Sequence, residues 1–158
     1  MATPMTYEQV LSKLTALCAR GEHCLQDMRT KMERWQIDAD TQGRVLDYLV
    51  TERYIDEERY ARFFINDKVK YNKWGKRKIV QALYMKKIPE EVYAPLLKDV
   101  EEEDYERTLL PLLVAKAKTV KGDSNYEKRM KLVRYALQRG FSYEQAQRCM
   151  EKIEIFDE

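Results

Sequence analysis

Apolar residues recur at three- and four-residue spacing along most of the chain, and strand-type alternation appears nowhere at useful length. The pattern predicts helices throughout. Thr6-Tyr7-Glu8-Gln9 has the form of a capping box, and the helix after it places Val10, Leu14, Leu17 and Cys18 on one face until Gly21 ends it. A second helix is predicted from about Cys24 to Trp35, with Leu25, Met28, Met32 and Trp35 at core spacing. Asp38 caps a third, which carries Val45, Leu46 and Leu49, and Thr51 to Ile55 is a linker. Later in the chain, Pro89 suits a helix start whose apolar face is Val92, Leu96, Leu97 and Val100. Pro95 should bend or shorten that helix, and Pro111 should distort the next, which carries Leu109, Leu112, Leu113 and Ala117. After the loop Lys121–Asn125, a helix from about Tyr126 to Arg139 is expected to bury Met130, Val133, Ala136 and Leu137, with Gly140 closing it. Ser142-Tyr143-Glu144-Gln145 is a second capping-box pattern, opening a helix with Ala146, Cys149, Met150 and Ile153 inward. The tail Glu154–Glu158 reads as frayed.

The middle stretch, 54–88, carries the sharpest signals. Asp56 is a candidate N-cap, with Glu57 and Glu58 in the first turn of a helix running to about Tyr71. Tyr60, Ala61, Phe64, Ile65 and Lys68 share one side of it, and Arg59, Arg62, Asn66, Lys70 and Lys73 the other. Gly75 can supply a turn into a helix from about Lys76 to Lys86, which buries Ile79, Ala82 and Leu83 and turns Lys76, Arg77, Gln81, Tyr84 and Lys87 outward. Tyr60, Phe64, Ile79 and Leu83 are expected to form the core here.

The helices repeat. Ile37, Ile88 and Phe141 occupy equivalent turn positions about 50 residues apart. Leu46, Leu97 and Met150 correspond in the helices that follow, as do Leu49, Val100 and Ile153. The expected fold is all-α: an elongated array of three tandem three-helix, helix-turn-helix-like repeats, covering approximately 1–54, 55–100 and 101–158.

A net charge of +2 conceals alternating blocks. Residues 1–58 carry −4, 59–87 carry +9, 88–106 carry −7, 107–139 carry +7 and 140–158 carry −3. Such blocks point to an anionic or mixed-charge partner, and the first repeat, with its acidic balance, is expected to matter less than the others for contact with an anionic one. The apolar runs are too short to span a bilayer, so no membrane role is expected. The N-terminus has neither the basic nor the apolar region of a signal peptide. Three cysteines, Cys18, Cys24 and Cys149, fit no metal spacing and read as reduced thiols in a cytoplasmic protein.

Candidate chemistry is thin. There is no Walker-type phosphate loop. His23, the lone histidine, sits beside Cys18 and Cys24 without the fourth ligand of a closed zinc site. No Ser or Cys has a histidine-like base in a recognisable arrangement, so neither an enzyme nor a cofactor is expected. Binding remains. Exposed Lys and Arg neutralise phosphates with a salt-sensitive, sequence-tolerant affinity. Tyr71, Trp74 and Tyr84 lie among those bases and could stack on unpaired bases, or Trp74 could pack beneath the loop instead. The candidate binding residues are Arg59, Arg62, Lys70, Lys73, Trp74, Lys76, Arg77 and Lys87, with Lys128, Lys131 and Arg134 in the third repeat.

Tyr54-Ile55-Asp56, Glu57-Glu58, Arg59-Tyr60-Ala61, Phe64, Lys73-Trp74-Gly75-Lys76, Ile79, Leu83 and Lys87-Ile88 together resemble the RecX family of regulators of the bacterial RecA recombinase. Members usually have Gly where this chain has Lys87, a departure that weakens the cap at that helix end. The resemblance implies a protein that lies in the groove of the RecA–DNA filament, contacts protein and DNA without sequence preference, and most often inhibits recombinase ATPase and strand exchange in DNA repair and recombination. A monomer is expected, though the residues leave the oligomeric state open. DNA of single- or double-stranded form is the expected nucleic acid. Two other readings of the residues stand beside it: a stand-alone helix-turn-helix-type nucleic-acid-binding module, and an α-helical protein–protein scaffold.

Overall fold

The computed structural model describes residues 3–153, so the expectation for Glu154–Glu158 lies outside the described residues. Among the described residues there are nine helices and no strand. They are α1 (Tyr7–Arg20), α2 (Leu25–Arg34), α3 (Ala39–Thr51), α4 (Glu57–Lys70), α5 (Lys76–Met85), α6 (Glu90–Lys98), α7 (Glu102–Ala117), α8 (Asn125–Gln138) and α9 (Tyr143–Glu151). Both capping boxes form. The Thr6 hydroxyl accepts the Gln9 amide at 3.2 Å while Gln9 Oε1 accepts the Thr6 amide at 2.9 Å. Ser142 and Gln145 exchange the same bonds at 3.1 and 2.8 Å. Asp38 and Ser124 cap α3 and α8.

The repeat is visible in the backbone. Ahead of Ile37, Ile88 and Phe141 stand Gln36, Lys87 and Gly140, with φ of 59°, 57° and 96°. Each is a left-handed residue closing a helix. The Ile37 amide reaches back to the Met32 carbonyl at 2.9 Å and the Phe141 amide to the Ala136 carbonyl at 3.1 Å, the long bond of a Schellman turn.

Two prolines lie inside helices. α6 continues past Pro95 to Lys98, and α7 continues past Pro111 to Ala117. Neither proline is buried, so water can take the carbonyl each leaves unbonded. Burial of Leu96 and Leu97 in α6, and of Leu109 and Leu113 in α7, favours the helical turns around each proline. In α8, Met130 is exposed and Leu132 takes the core position instead. Its inner stripe is Leu132, Val133 and Ala136, one step round from the predicted face.

The chain packs as two units, residues 3–63 with 84–93, and residues 64–83 with 94–153; the division falls within α4, α5 and α6. Unit 1 is built on Val10, Leu14, Met28, Met32, Val45, Leu49 and Ile55. Burying side chains of this size is worth about 1.5–3 kcal/mol each. The core of unit 2 runs from Tyr105, Leu109 and Leu113 through Leu132 and Val133 to Phe141, Cys149 and Met150. Of the four residues expected to form the middle core, Ile79 and Leu83 are fully buried, Tyr60 is buried and Phe64 is half-buried.

Within unit 2, the start of α5 docks on the turn between α8 and α9. The Gly75 amide donates to the Arg139 carbonyl at 2.7 Å, and the Arg77 amide to the Gly140 carbonyl at 3.2 Å. The open N–H end of one helix thereby satisfies the open carbonyl end of another. Gly75 is required by this approach and not by turn geometry: the left-handed residue of the α4–α5 connection is Lys73, φ 59°. A Cβ on Gly75 would lie 2.3 Å from the Gly140 carbon and the Phe141 nitrogen. Gly75→Ala should cost about 3 kcal/mol or more, because backbone cannot yield as a side chain does. Gly43, inside α3, is the internal control: a Cβ added there would have nothing within 4 Å. At that position the same substitution should stabilise by about 0.5–1 kcal/mol. Denaturant midpoints of the two variants, moving in opposite directions, would check both statements.

Candidate functional site

The candidate cations separate by unit and by what they already hold. In unit 1, Arg59 donates from Nε to Glu22 Oε1 at 2.8 Å and points its guanidinium at the Arg53 and Tyr54 carbonyls. It clamps the turn after α3. Arg62 reaches Glu58 at 3.1 Å, an exposed pair one helical turn apart and of little energetic weight. Lys87 is exposed at its left-handed position.

In unit 2, Lys70 and Lys73 are exposed on the last turn of α4 and the residues after it, and form no ion pair among the described residues. With Arg107 they line a cleft of about 770 Å³ whose floor includes Val69, Val100 and Leu112. Arg107 is partly committed, since its guanidinium meets Asp104 at 3.0 Å. Lys76 is exposed at the start of α5. Arg77 is structural: its guanidinium donates to the Leu137 carbonyl near the end of α8. Arg139 does the reciprocal job, donating to the Asn72 carbonyl at 2.8 Å and the Lys73 carbonyl at 3.3 Å. On α8, Lys131 bonds the Lys121 carbonyl at 2.5 Å. Lys128 is half-buried and Arg134 exposed, and neither forms an ion pair among the described residues.

Trp74 is not an open stacking platform. The Lys78 ammonium lies 4.6 Å from its ring centre and the Lys68 ammonium 5.1 Å, while Phe64 meets it edge-on at 6.4 Å. Each cation gains from the ring quadrupole, so both contacts favour this closed arrangement. Tyr71 and Tyr84 are the exposed rings among the three aromatics.

A polar cluster at the start of α2 in unit 1 was not foreseeable from the pattern along the chain. Asp27 Oδ2 accepts the Cys24 amide at 3.2 Å, and Glu57 from α4 accepts the Leu25 amide at 2.8 Å. Two carboxylates thus serve the positive end of α2. Lys86 donates to Asp27 Oδ1 at 2.6 Å. Burial works to raise the Asp27 carboxyl, but the Lys86 ammonium and the Cys24 amide outweigh it and hold it below its ordinary value. Burial pushes the Glu57 carboxyl up, against the pull of the Leu25 amide. It pushes the Cys24 thiol up to about 11, and the thiols of Cys18 and Cys149 also lie above their ordinary value, so all three are poor nucleophiles at neutral pH. The one local signal for this cluster was Asp27 at the third position of a helix; Glu57 and Lys86 arrive from distant elements.

Two family models match the chain: the second three-helix domain of RecX over residues 56–94, and the third over residues 102–150. The regulatory protein RecX of Chlorobium limicola is 32% identical over 80% of this chain and 78% of its own length. The chain belongs to the RecX family. The regulatory proteins RecX of Finegoldia magna and Clostridium perfringens are 28% and 26% identical, over 77% and 75% of this chain. The chain spans 60% and 56% of those two relatives. The crystal structure of RecX from Lactobacillus salivarius superposes with a TM-score of 0.81 at 16% identity, covering 94% of this chain and 97% of that one. A second crystal structure, of a regulatory protein RecX, gives 0.85 over 92% of this chain and 73% of the other, also at 16% identity. These likenesses establish a RecX fold. Among the described residues no helix is long and apolar enough to cross a membrane.

The Asp27 cluster makes acid stability testable. A carboxyl held low contributes stability that is present above its unfolded pKa and lost as pH falls through the folded value. Asp27→Asn should therefore be less stable than the parent by about 1–2 kcal/mol at neutral pH. The gap should close as pH falls below about 4. Urea unfolding of both proteins across that range measures it; a gap that stays constant would mean that Asp27 titrates normally.

Proposed function

We propose that this chain is a regulatory binding protein, not an enzyme, that engages a RecA recombinase filament on DNA and restrains its ATPase and strand exchange. It acts in the cytoplasm, as a monomer, in DNA repair and recombination. Membership of a family whose matched relatives are named regulatory proteins supports the regulatory part. The observation that carries the binding part is that, of the candidate cations in unit 2, Lys70, Lys73 and Lys76, with Arg134 on α8, are exposed and form neither an ion pair nor a side-chain hydrogen bond among the described residues. Lysine ammonium groups so placed meet phosphates as point charges without demanding a sequence. Arg59, Arg77 and Lys131 have intramolecular carbonyl or carboxylate partners and contribute chiefly by placing those elements. The cations are spread over α4, α5 and α8 and do not collect on one recognition helix, which favours this reading over a sequence-specific helix-turn-helix module.

Titration against bare single-stranded DNA and against preassembled recombinase filament should show preference for the filament. A triple variant, Lys70→Gln, Lys73→Gln and Lys76→Gln, should stay folded, because the three side chains face solvent. It should inhibit recombinase ATPase weakly and lower the logarithmic salt slope of binding by about three, one for each phosphate contact removed. Unchanged potency with an unchanged slope would sink the proposal.

A further inference from the structure

Unit 1 contains two clefts that share one wall, Met85. The first, of about 550 Å³, is bounded by Tyr84, Met85, Pro89 and Tyr93, with Lys87 and Glu90 at its edge. Tyr84 is 74% exposed and Met85 73%, two large side chains left in water side by side at the end of α5. The second cleft, of about 530 Å³, also reaches Met85 and is lined by α2 residues, among them Thr30, Lys31 and Arg34, together with Lys86.

The charges in these clefts are unequal. Lys86 is taken up by Asp27, at 2.6 Å. Lys31 and Arg34, three residues apart on the last turn of α2, form no ion pair among the described residues and leave the second cleft cationic. The aromatic cleft is lined by one cation and one anion, Lys87 and Glu90, so it has no net charge, and the Glu90 carboxylate can accept from the amino edge of a base. An aromatic shelf beside a cationic one, joined by a polarizable thioether, has the layout of a nucleotide.

We propose that the paired clefts bind one unpaired nucleotide of single-stranded DNA, its base stacked on Tyr84 and Met85 and its phosphate held by Lys31 and Arg34. The site rests on the reading that the partner carries DNA, and it adds what that reading lacks, a means of telling single from double strands. Lysines on a helix surface meet the phosphates of either form. A base can lie on Tyr84 only if it is out of a duplex. The site also gives DNA contact to the repeat whose acidic balance argued against it: the block average of 1–58 hides Lys31 and Arg34 at one end of α2.

The whole chain should be irradiated with a single-stranded oligodeoxynucleotide carrying 5-iododeoxyuridine, and the adduct mapped by mass spectrometry. Tyr84 or Met85 is the expected site. Tyr84→Ala should weaken binding of that strand about tenfold and leave binding of the matching duplex unchanged, while Tyr84→Phe should bind as the parent does. Lys31→Gln with Arg34→Gln should lower the single-strand salt slope by about 1.4. Circular dichroism will report whether each variant is folded, and the unmodified chain carries the crosslink in any case. An adduct that maps elsewhere, or Tyr84→Ala binding the single strand as tightly as the parent, overturns the site. Recombinase inhibition, read in parallel, keeps the two ideas apart: inhibition without the crosslink removes this site alone, and the crosslink without inhibition removes the filament reading alone.

Discussion

In unit 2, two stretches of bare backbone meet at Gly75 and Gly140, closer than any side chain would permit. Much else follows from that approach. The first amides of α5 have no partner within their own helix, and they find the last carbonyls of α8 and the turn after it. Arg77 reaches forward to α8, and Arg139 reaches back to the turn before α5. Two guanidiniums and two glycines therefore hold one junction from both sides. Lys73 and Lys76 flank that junction, so their positions are set by backbone hydrogen bonds and not by their own side chains.

The basic side chains divide by commitment: several arginines, with Lys86 and Lys131, are bonded to other elements, and others face water. Arg59, Arg77, Arg139 and Arg148 are each bonded to carbonyls or carboxylates of other elements. The planar fork suits them to that work. Lys70, Lys73 and Lys76 are exposed to water. A count of positive charge in the block 59–87 treats both alike, although only the second kind is available to a partner.

The helices, their caps and the three equivalent turns were legible in the sequence because each depends on residues within one or two turns. Thr6 with Gln9, and Ser142 with Gln145, are local statements. The rest was illegible for the same reason. Gly75 looked like a turn residue, yet its neighbour is Gly140, far along the chain, and the turn geometry falls on Lys73. Glu57 looked like a first-turn acid for its own helix and serves α2. Trp74 stood among lysines and could be read as an open ring; two of those lysines cover it. On α8, one step of rotation exchanged Met130 for Leu132, a difference that periodicity over so short a helix does not resolve. The overlap of the middle helices with two packed units was also invisible, since it depends on contacts and not on pattern.

The three left-handed turn residues differ in how much freedom they leave. At Gln36 and Lys87 the requirement is conformational, a modest cost that several residue types bear. At Gly140 a side chain would also strike Lys78, whose Cβ lies 2.5 Å from where its own Cβ would stand, so shape as well as torsion excludes every other residue. Tandem duplication starts from equivalent copies, and equivalent copies can slip past one another in register. A lock that accepts only the third turn removes that ambiguity: α5 has one glycine to dock on, and the order of the repeats is written into the one position that cannot drift.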